Sequence, residues 1–331
     1  MYINKTLFVV ASGSGGHILP ALVLARKWKN KEHGKVIFFT GTKKLDLKIL
    51  NSNYFIDKKI NLNLSKFPGK KLWLYPIFCL ELLICFSKAI FYSYKYKPNQ
   101  IITTGGYMAI PVCIASKLFK SFITLYELNV IPGKAIIFLS YIANKIAIVF
   151  KESKEYFNKK YQNKIILESY PLRYSQQDKI FDKKELIKKI NQEQGVSFSS
   201  DKKTIFLLGG SQGSLFLNSY LKNWLTENTN ELNNIQIIHQ IGSKDKTDWN
   251  TFYKNLNIQA IVFSYRQDLK DFYLLADKVI TRAGAGTLFE LEFFKKKSII
   301  FPLVASTTTH QIDNAKIMAK RNEGLFEIKQ P

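Results

Sequence analysis

Residues 5–16 (KTLFVVASGSGG) run straight from an apolar segment into a cluster of glycines, and residues 203–213 (KTIFLLGGSQG) repeat that arrangement in the second half of the chain. Short continuous apolar runs rich in β-branched and aromatic residues read as strands buried on both faces. Glycines directly after them allow a tight turn into a helix. A helical stretch follows the first loop at residues 19–29, and another follows the second. Strand, glycine turn and helix in succession commit such a chain to a parallel sheet covered by helices on both faces.

The rest of the chain supports two such sheets. Residues 35–40, 100–103, 121–126 and 146–150 are further short apolar strands, with helical stretches between several of them. After Pro171 the texture turns polar and charged through residues 176–201, and the strand pattern then restarts at 204–208, 235–240, 260–263, 278–281 and 298–301. We read an N-terminal domain over residues 1–170 and a C-terminal domain over 171–331, each within the roughly 100–200 residues of a typical domain. The expected fold class is α/β: two facing Rossmann-like parallel-sheet domains with a ligand cleft at the carboxyl ends of their strands.

Charge narrows the partners. Lys and Arg number 49 against 25 Asp and Glu, a formal charge of +24, which suits an anionic partner: nucleic acid, a lipid surface or a phosphorylated substrate. The lysines are scattered through most helices, and no helix-turn-helix, RNA-recognition or zinc pattern occurs, so nucleic acid is not expected. Cys79, Cys85 and Cys113 lie in apolar stretches without metal-ligand spacing, which fits a reducing compartment. Residues 1–16 lack the apolar run of about 7–15 residues that a signal peptide needs. Residues 72–94 (LWLYPIFCLELLICFSKAIFYSY) approach the roughly 20 apolar residues that span a bilayer. Pro76, Glu81 and Lys88 argue against spanning, so an amphipathic or half-buried helix is expected, flanked by Lys66, Lys70, Lys71, Lys95 and Lys97.

Three glycine loops carry the candidate chemistry. The first, residues 12–17 (SGSGGH), lacks the Lys-Ser/Thr pair of a P-loop and the G-x-G-x-x-G order of a dinucleotide fold. It places Ser14, Gly15 and Gly16 at a helix N-terminus, where anions and polar groups are favoured, and His17 as a possible general base or a loop-bonding imidazole. The second, residues 209–214 (GGSQGS), offers backbone amides with Ser211 and Gln212 as a diphosphate cradle before a helix that contains Asn218, or a plain strand-to-helix turn. In the third, residues 282–287 (RAGAGT), Gly286 and Thr287 precede Glu290, whose carboxylate could accept both ribose hydroxyls or simply face the helix dipole. Residues 307–314 (TTTHQIDN) place His310, Gln311 and Asn314 in a polar loop running into a helix, a chemistry suited to sugar hydroxyls. No Asp-x-Asp pair or carboxylate–histidine cluster has metal spacing, so neither metal nor other cofactor is expected.

Together and in this order, SGSGGHILPALVLA from Ser12, TTGGYMAIP from Thr103, YELNVIPGKA from Tyr126, GGSQGSLFLN from Gly209 and RAGAGTLFELEFFKKKSIIFPL from Arg282 resemble the MurG family of bacterial N-acetylglucosaminyltransferases. The resemblance runs from Phe8 to about Glu323. It implies the GT-B fold and an inverting transfer from UDP-N-acetylglucosamine to the 4-hydroxyl of the muramyl sugar of lipid I, a polyprenyl-diphosphate-linked acceptor, giving lipid II for peptidoglycan. It also implies peripheral attachment to the anionic cytoplasmic face of the cell membrane through residues 72–94. By position, His17 is the implied base with Glu127 as its competitor, and Ser14, Tyr107 and Asn129 fall on the acceptor side. Arg173 and Ser211 match diphosphate contacts, Arg266 the uracil-reading segment, Glu290 the ribose carboxylate, and His310 with Gln311 the pair near the sugar hydroxyls. The sequence departs from the family at Ser12, Thr103, Thr104, Tyr126, Leu128 and Tyr170, mostly on the acceptor side, and it ends at Pro331 before the helices that finish the family's second domain. Two other readings stay open: a related glycosyltransferase with another lipid acceptor such as diacylglycerol, and an inactive relative that binds UDP-sugar without turnover.

Overall fold

The computed structural model describes residues 5–65, 67–210, 212–303 and 310–330. The chain divides into two compact units, Met1–Arg173 and Tyr174–Pro331.

In the first unit, β1 (Thr6–Val10), β2 (Lys35–Thr40), β3 (Lys58–Asn61), β4 (Gln100–Thr103), β5 (Phe122–Glu127), β6 (Lys145–Ile148) and β7 (Ile165–Leu167) form one parallel sheet in the order β3-β2-β1-β4-β5-β6-β7. Its helices are α1 (Gly15–Glu32), α2 (Lys44–Asn51), α3 (Tyr75–Tyr96), α4 (Ala109–Leu118) and α5 (Lys134–Leu139). β1 is buried at every residue because helices cover both faces of the sheet. The order reverses direction beside β1, so the loops after β1 and β4 lie next to one another at the carboxyl end of the sheet. β3 and β7 are additions to the strands expected from sequence. Both are short and only partly buried, so neither carries the continuous apolar signature of a central strand.

The second unit repeats the architecture with β8 (Lys203–Leu208), β9 (Ile235–Gln240), β10 (Ala260–Phe263), β11 (Lys278–Arg282), β12 (Lys297–Phe301) and β13 (Phe326–Ile328), parallel in the order β10-β9-β8-β11-β12-β13. Its helices are α6 (Lys183–Gln194), α7 (Leu215–Glu227), α8 (Trp249–Asn255), α9 (Lys270–Leu275), α10 (Ala285–Phe293) and α11 (His310–Arg321). The polar stretch at 176–201 contains α6. Its N-cap Asp182 accepts from the Glu185 amide, and Leu186, Ile187 and Ile190 turn inward from an otherwise charged helix.

Residues 72–94 correspond to a 3-10 turn, Leu72–Leu74, leading into α3, with Pro76 in the first helical turn where its missing N–H costs nothing. The helix is more exposed than the expected half-buried one. Only Cys85, Ala89 and Ser93 are buried, a single i, i+4, i+8 stripe, and the Ser93 and Ser116 hydroxyls meet at 2.8 Å against α4. Leu72, Trp73, Ile77, Leu80, Leu83 and Ile84 face outward. By length and composition Leu72–Tyr96 is apolar enough to cross a membrane. Lys66 lies outside the described residues.

Candidate active site

The loop after β1 turns through Gly13, whose φ of +93° is left-handed backbone that a side chain rarely tolerates. Ser14 then N-caps α1 with extended backbone, and its carbonyl accepts from the amides of His17 and Ile18. The loop after β4 turns through Gly105 and Gly106, also at positive φ. Thr104 joins the two loops twice: its hydroxyl donates to the His17 carbonyl at 3.0 Å, and its carbonyl accepts from His17 Nδ1 at 2.9 Å. A carbonyl can only accept, so Nδ1 carries a proton, and in the neutral ring this puts the lone pair on Nε2, the tautomer a general base needs. Gly15 is buried, Ser14 and His17 half-buried, Gly16 and Tyr107 exposed. This loop cluster therefore presents Gly16, His17 and Tyr107 together at the carboxyl end of one sheet.

Glu127, the alternative base, is held differently. It ends β5, is 3% exposed, and accepts from the Asn129 amide (2.8 Å), the Asn129 side chain (3.1 Å) and the Gly133 amide (2.9 Å). Both carboxylate oxygens hold the turn into α5, and none of the side chain is open to a substrate proton. Glu127, expected to compete with His17 for the base role, is thus enclosed and engaged through both oxygens, whereas His17 is half-buried. Asn129 is tied to the same carboxylate, so it shapes the turn. Two departures from the family, Tyr126 and Leu128, are buried around Glu127 and alter packing rather than exposed surface.

Burial pushes the Glu127 carboxyl up to about 7, against the pull of those donors. A folded-state pKa raised above the unfolded value of 4.5 gives a stability contribution that is present below about pH 4.5 and lost as pH rises through about 7. We expect chemical denaturation of the wild type to lose about 3 kcal/mol between pH 4 and pH 8 relative to Glu127→Gln. The variant carries a fixed loss at every pH, because its NH2 group faces an amide donor, but not that slope. Parallel pH profiles for the two proteins would contradict the assignment.

In the second unit β8 and β11 are neighbours, which brings their glycine loops together. Two of the glycines at 209–213 answer to backbone packing: a Cβ on Gly209 would fall 2.6 Å from the Ser214 amide, and one on Gly213 only 2.4 Å from Gly242 Cα. Ser211 lies outside the described residues, and Gln212 is exposed. Ser214 N-caps α7, accepting from the Leu217 amide, and also accepts from Arg282 Nε at 3.1 Å. Arg282 donates further to the Phe301 carbonyl and lies over the Phe216 ring, so it ties the second glycine loop to the third. In the sequence this arginine stands out only as the start of a motif.

Asn218 is engaged within the second unit. It is buried, its NH2 group donates to the Ile241 carbonyl and the Asp245 carboxylate, and its Oδ1 accepts from His239 Nε2. His239 Nδ1 in turn accepts from Tyr253 at 2.8 Å, and burial lowers this imidazole to about 3, keeping it neutral. Asn218, expected at the substrate site, belongs to a buried network that pins α7 to the loop after β9.

The third loop delivers Ala285, Gly286 and Thr287 as the first turn of α10, with no acidic residue in that turn. First-turn amides lack intrahelical partners, which makes this helix end favourable to an anion. Glu290 sits one turn later, buried, and one of its oxygens accepts from the Tyr273 hydroxyl at 2.8 Å. That contact orients the carboxylate and engages one of the two oxygens expected to take ribose hydroxyls. Arg266 lies over the Phe272 ring with Glu193 at 4.0 Å. Arg173, half-buried, is the last residue of the first unit. His310, Gln311 and Asn314 stand on α11 itself, not in the expected polar loop, and residues 304–309 lie outside the described residues. Gln311 Oε1 accepts from the Leu303 amide, Asn314 is fully buried, and burial lowers the His310 pKa against the opposing pull of Asp313. Among the described residues no group of three or more His, Cys, Asp or Glu comes together to hold a metal ion.

Glu290→Ala is expected to weaken UDP-sugar binding about tenfold or more, through a lost charge-assisted hydrogen bond, while lowering stability by about 1–3 kcal/mol because Tyr273 loses its acceptor. Titration calorimetry and a denaturant melt read the two effects separately. Unchanged donor affinity would remove Glu290 from the donor site.

The two units match two halves of one enzyme class. The glycosyltransferase family 28 N-terminal domain matches residues 7–148, and the family 28 C-terminal domain matches residues 204–327. The UDP-N-acetylglucosamine–N-acetylmuramyl-(pentapeptide) pyrophosphoryl-undecaprenol N-acetylglucosamine transferase of Thermosipho africanus is 34% identical over 321 residues, covering 95% of this chain and 84% of its own. The enzyme of the same name from Thermodesulfovibrio yellowstonii is 31% identical, covering 95% and 83%. The crystal structure of Acinetobacter baumannii MurG superposes with a TM-score of 0.68 at 22% identity, covering 98% of this chain and 86% of that one, a likeness of fold that carries the GT-B architecture of two Rossmann-like domains. With both domains matched in order, and with relatives this similar over nearly the whole chain, the protein belongs to glycosyltransferase family 28, within its N-acetylglucosaminyltransferase branch.

Proposed function

We propose that this chain transfers N-acetylglucosamine from UDP-N-acetylglucosamine to the 4-hydroxyl of the muramyl sugar of lipid I, with inversion at C1, as a peripheral enzyme of the cytoplasmic membrane face. The carrying observation is the His17 tautomer. Nδ1 donates to the Thr104 carbonyl, so in the neutral ring Nε2 is the basic nitrogen, and exposed Gly16 and Tyr107 lie in the same pair of loops. His17 Nε2 takes the proton of the acceptor hydroxyl, the oxygen attacks C1, and the bond from C1 to the UDP oxygen breaks. The charge developing on the diphosphate is met by the first turn of α10, the loop at 209–213 and Arg173, without a step that requires a metal ion. Glu290 holds the ribose, and Arg266, His310 and Gln311 flank the nucleotide and sugar.

Membrane attachment rests on α3, whose outward face carries Trp73, Ile77, Leu80, Leu83 and Ile84 beside a strongly basic chain. An apolar helix face bordered by lysines suits the interface of an anionic bilayer, where the lipid-linked acceptor resides. Donor choice and stereochemistry test the reading. Incubated with a lipid I analogue and equal UDP-N-acetylglucosamine and UDP-galactose, the enzyme is expected to yield a β-linked N-acetylglucosaminyl product by NMR. A galactosyl product, or transfer to diacylglycerol in preference to lipid I, would overturn it.

A further inference from the structure

Asp46 is fully buried beside the first glycine loop. Its Oδ2 accepts from the Gly13 amide at 2.9 Å, while Oδ1, also enclosed, meets no hydrogen-bond partner among the described residues. The Gly13 carbonyl is reached from the other side by Lys43 Nζ at 3.4 Å, so both ends of this residue are gripped from the turn between β2 and α2. Gly41 leaves room for the carboxylate: a Cβ there would fall 3.2 Å from Asp46 Oδ2 and 3.1 Å from Cε of Met108, the residue after Tyr107. Asp46 lies in the first turn of α2, where the helix dipole offsets part of the cost of a buried carboxylate.

Gly13 matters through the residues it leads into. It holds a left-handed φ and passes directly into Ser14, and the Ser14 carbonyl carries the backbone amide of His17. Thr104 fixes His17 from the β4 side, and Asp46 fixes the loop from the β2 side. We propose that Asp46, assisted by Lys43, is a positioning residue that sets the backbone of the first glycine loop and thereby aims the His17 imidazole at the acceptor hydroxyl. Its hydrogen bond also occupies the Gly13 amide, so that amide serves the loop and not a ligand. Asp46 contacts no substrate; it acts through Gly13, Ser14 and His17. The inference rests on the proposed transferase activity for its kinetic arm, but not for its structural one.

The test compares wild type, Asp46→Asn, Asp46→Ala and Asp46→Ser in the full chain. Imidazole NMR resonances of His17, assigned by their loss in His17→Gln, report loop position without any turnover. Asp46→Ala and Asp46→Ser, whose hydroxyl falls one atom short of Gly13, are expected to move the His17 resonances. They should also lower kcat about 10–100-fold, the scale of a misplacement near 1 Å, with UDP-N-acetylglucosamine Kd changed less than twofold. Asp46→Asn keeps an oxygen for the Gly13 amide and is expected to restore both readouts to within about threefold of wild type. His17 resonances that stay in place in either folded variant, or Asp46→Asn behaving like Asp46→Ala, would overturn the proposal. A wild type that transfers no sugar would instead defeat the transferase reading, and the NMR comparison would still decide the role of Asp46.

Discussion

His17→Ala is expected to lower kcat for N-acetylglucosamine transfer by about 10²–10⁴, the contribution of a positioned general base, while the Kd for UDP-N-acetylglucosamine stays within about twofold. The split follows from placement. His17 belongs to the loop cluster after β1 and β4 of the first unit, and the donor groups Gly286, Thr287 and Glu290 all belong to α10 of the second. A mutation that removes an interaction made only in the transition state lowers kcat and kcat/KM together. Steady-state kinetics with donor titration calorimetry measure both numbers. A His17→Ala enzyme that lost donor affinity but kept its turnover would place the imidazole on the donor side and contradict the assignment.

Exchanging three outward residues of α3, Ile77→Ser, Leu80→Ser and Ile84→Ser together, is expected to weaken binding to phosphatidylglycerol vesicles by about 100-fold or more. All three are exposed and spaced i, i+3, i+7 on one face. Each loses part of the roughly 1.5–3 kcal/mol that burial of such a side chain contributes. The stripe that packs the helix onto the protein, Cys85, Ala89 and Ser93, is untouched, so the melting temperature should hold. High salt should weaken wild-type binding without abolishing it, because screening reaches the lysines and not the apolar face. Vesicle sedimentation decides this. Equal sedimentation of wild type and triple variant would show that α3 does not carry the attachment.

Much of the architecture was legible because strand burial leaves an unmistakable pattern. β1, β2 and β8 carry continuous apolar runs, and Gly13, Gly209, Gly210 and Gly213 after β1 and β8 sit at positive φ or against another backbone, where a side chain fits poorly. The edge strands β3, β7 and β13 were not legible, since three or four residues with one face exposed lack that signature. At the candidate site, sequence singled out polar side chains but could not say which of them would be occupied by their own neighbours. Glu127 and Asn218 have the composition of ligand-binding residues, yet each is enclosed by hydrogen bonds to chain segments that only folding brings near. Asp46 escaped notice for the opposite reason: an acidic residue in a helical first turn is ordinary in sequence, and its contact with Gly13 lies 33 positions away.

The most direct test of the account is transfer of radiolabelled N-acetylglucosamine from its UDP donor to a lipid I analogue in the presence of EDTA. The account predicts label in the lipid fraction at a rate that EDTA leaves unchanged and that His17→Ala lowers by about 10²–10⁴. A wild type that binds UDP with no label reaching lipid, or transfer that survives unaltered in His17→Ala, would contradict it.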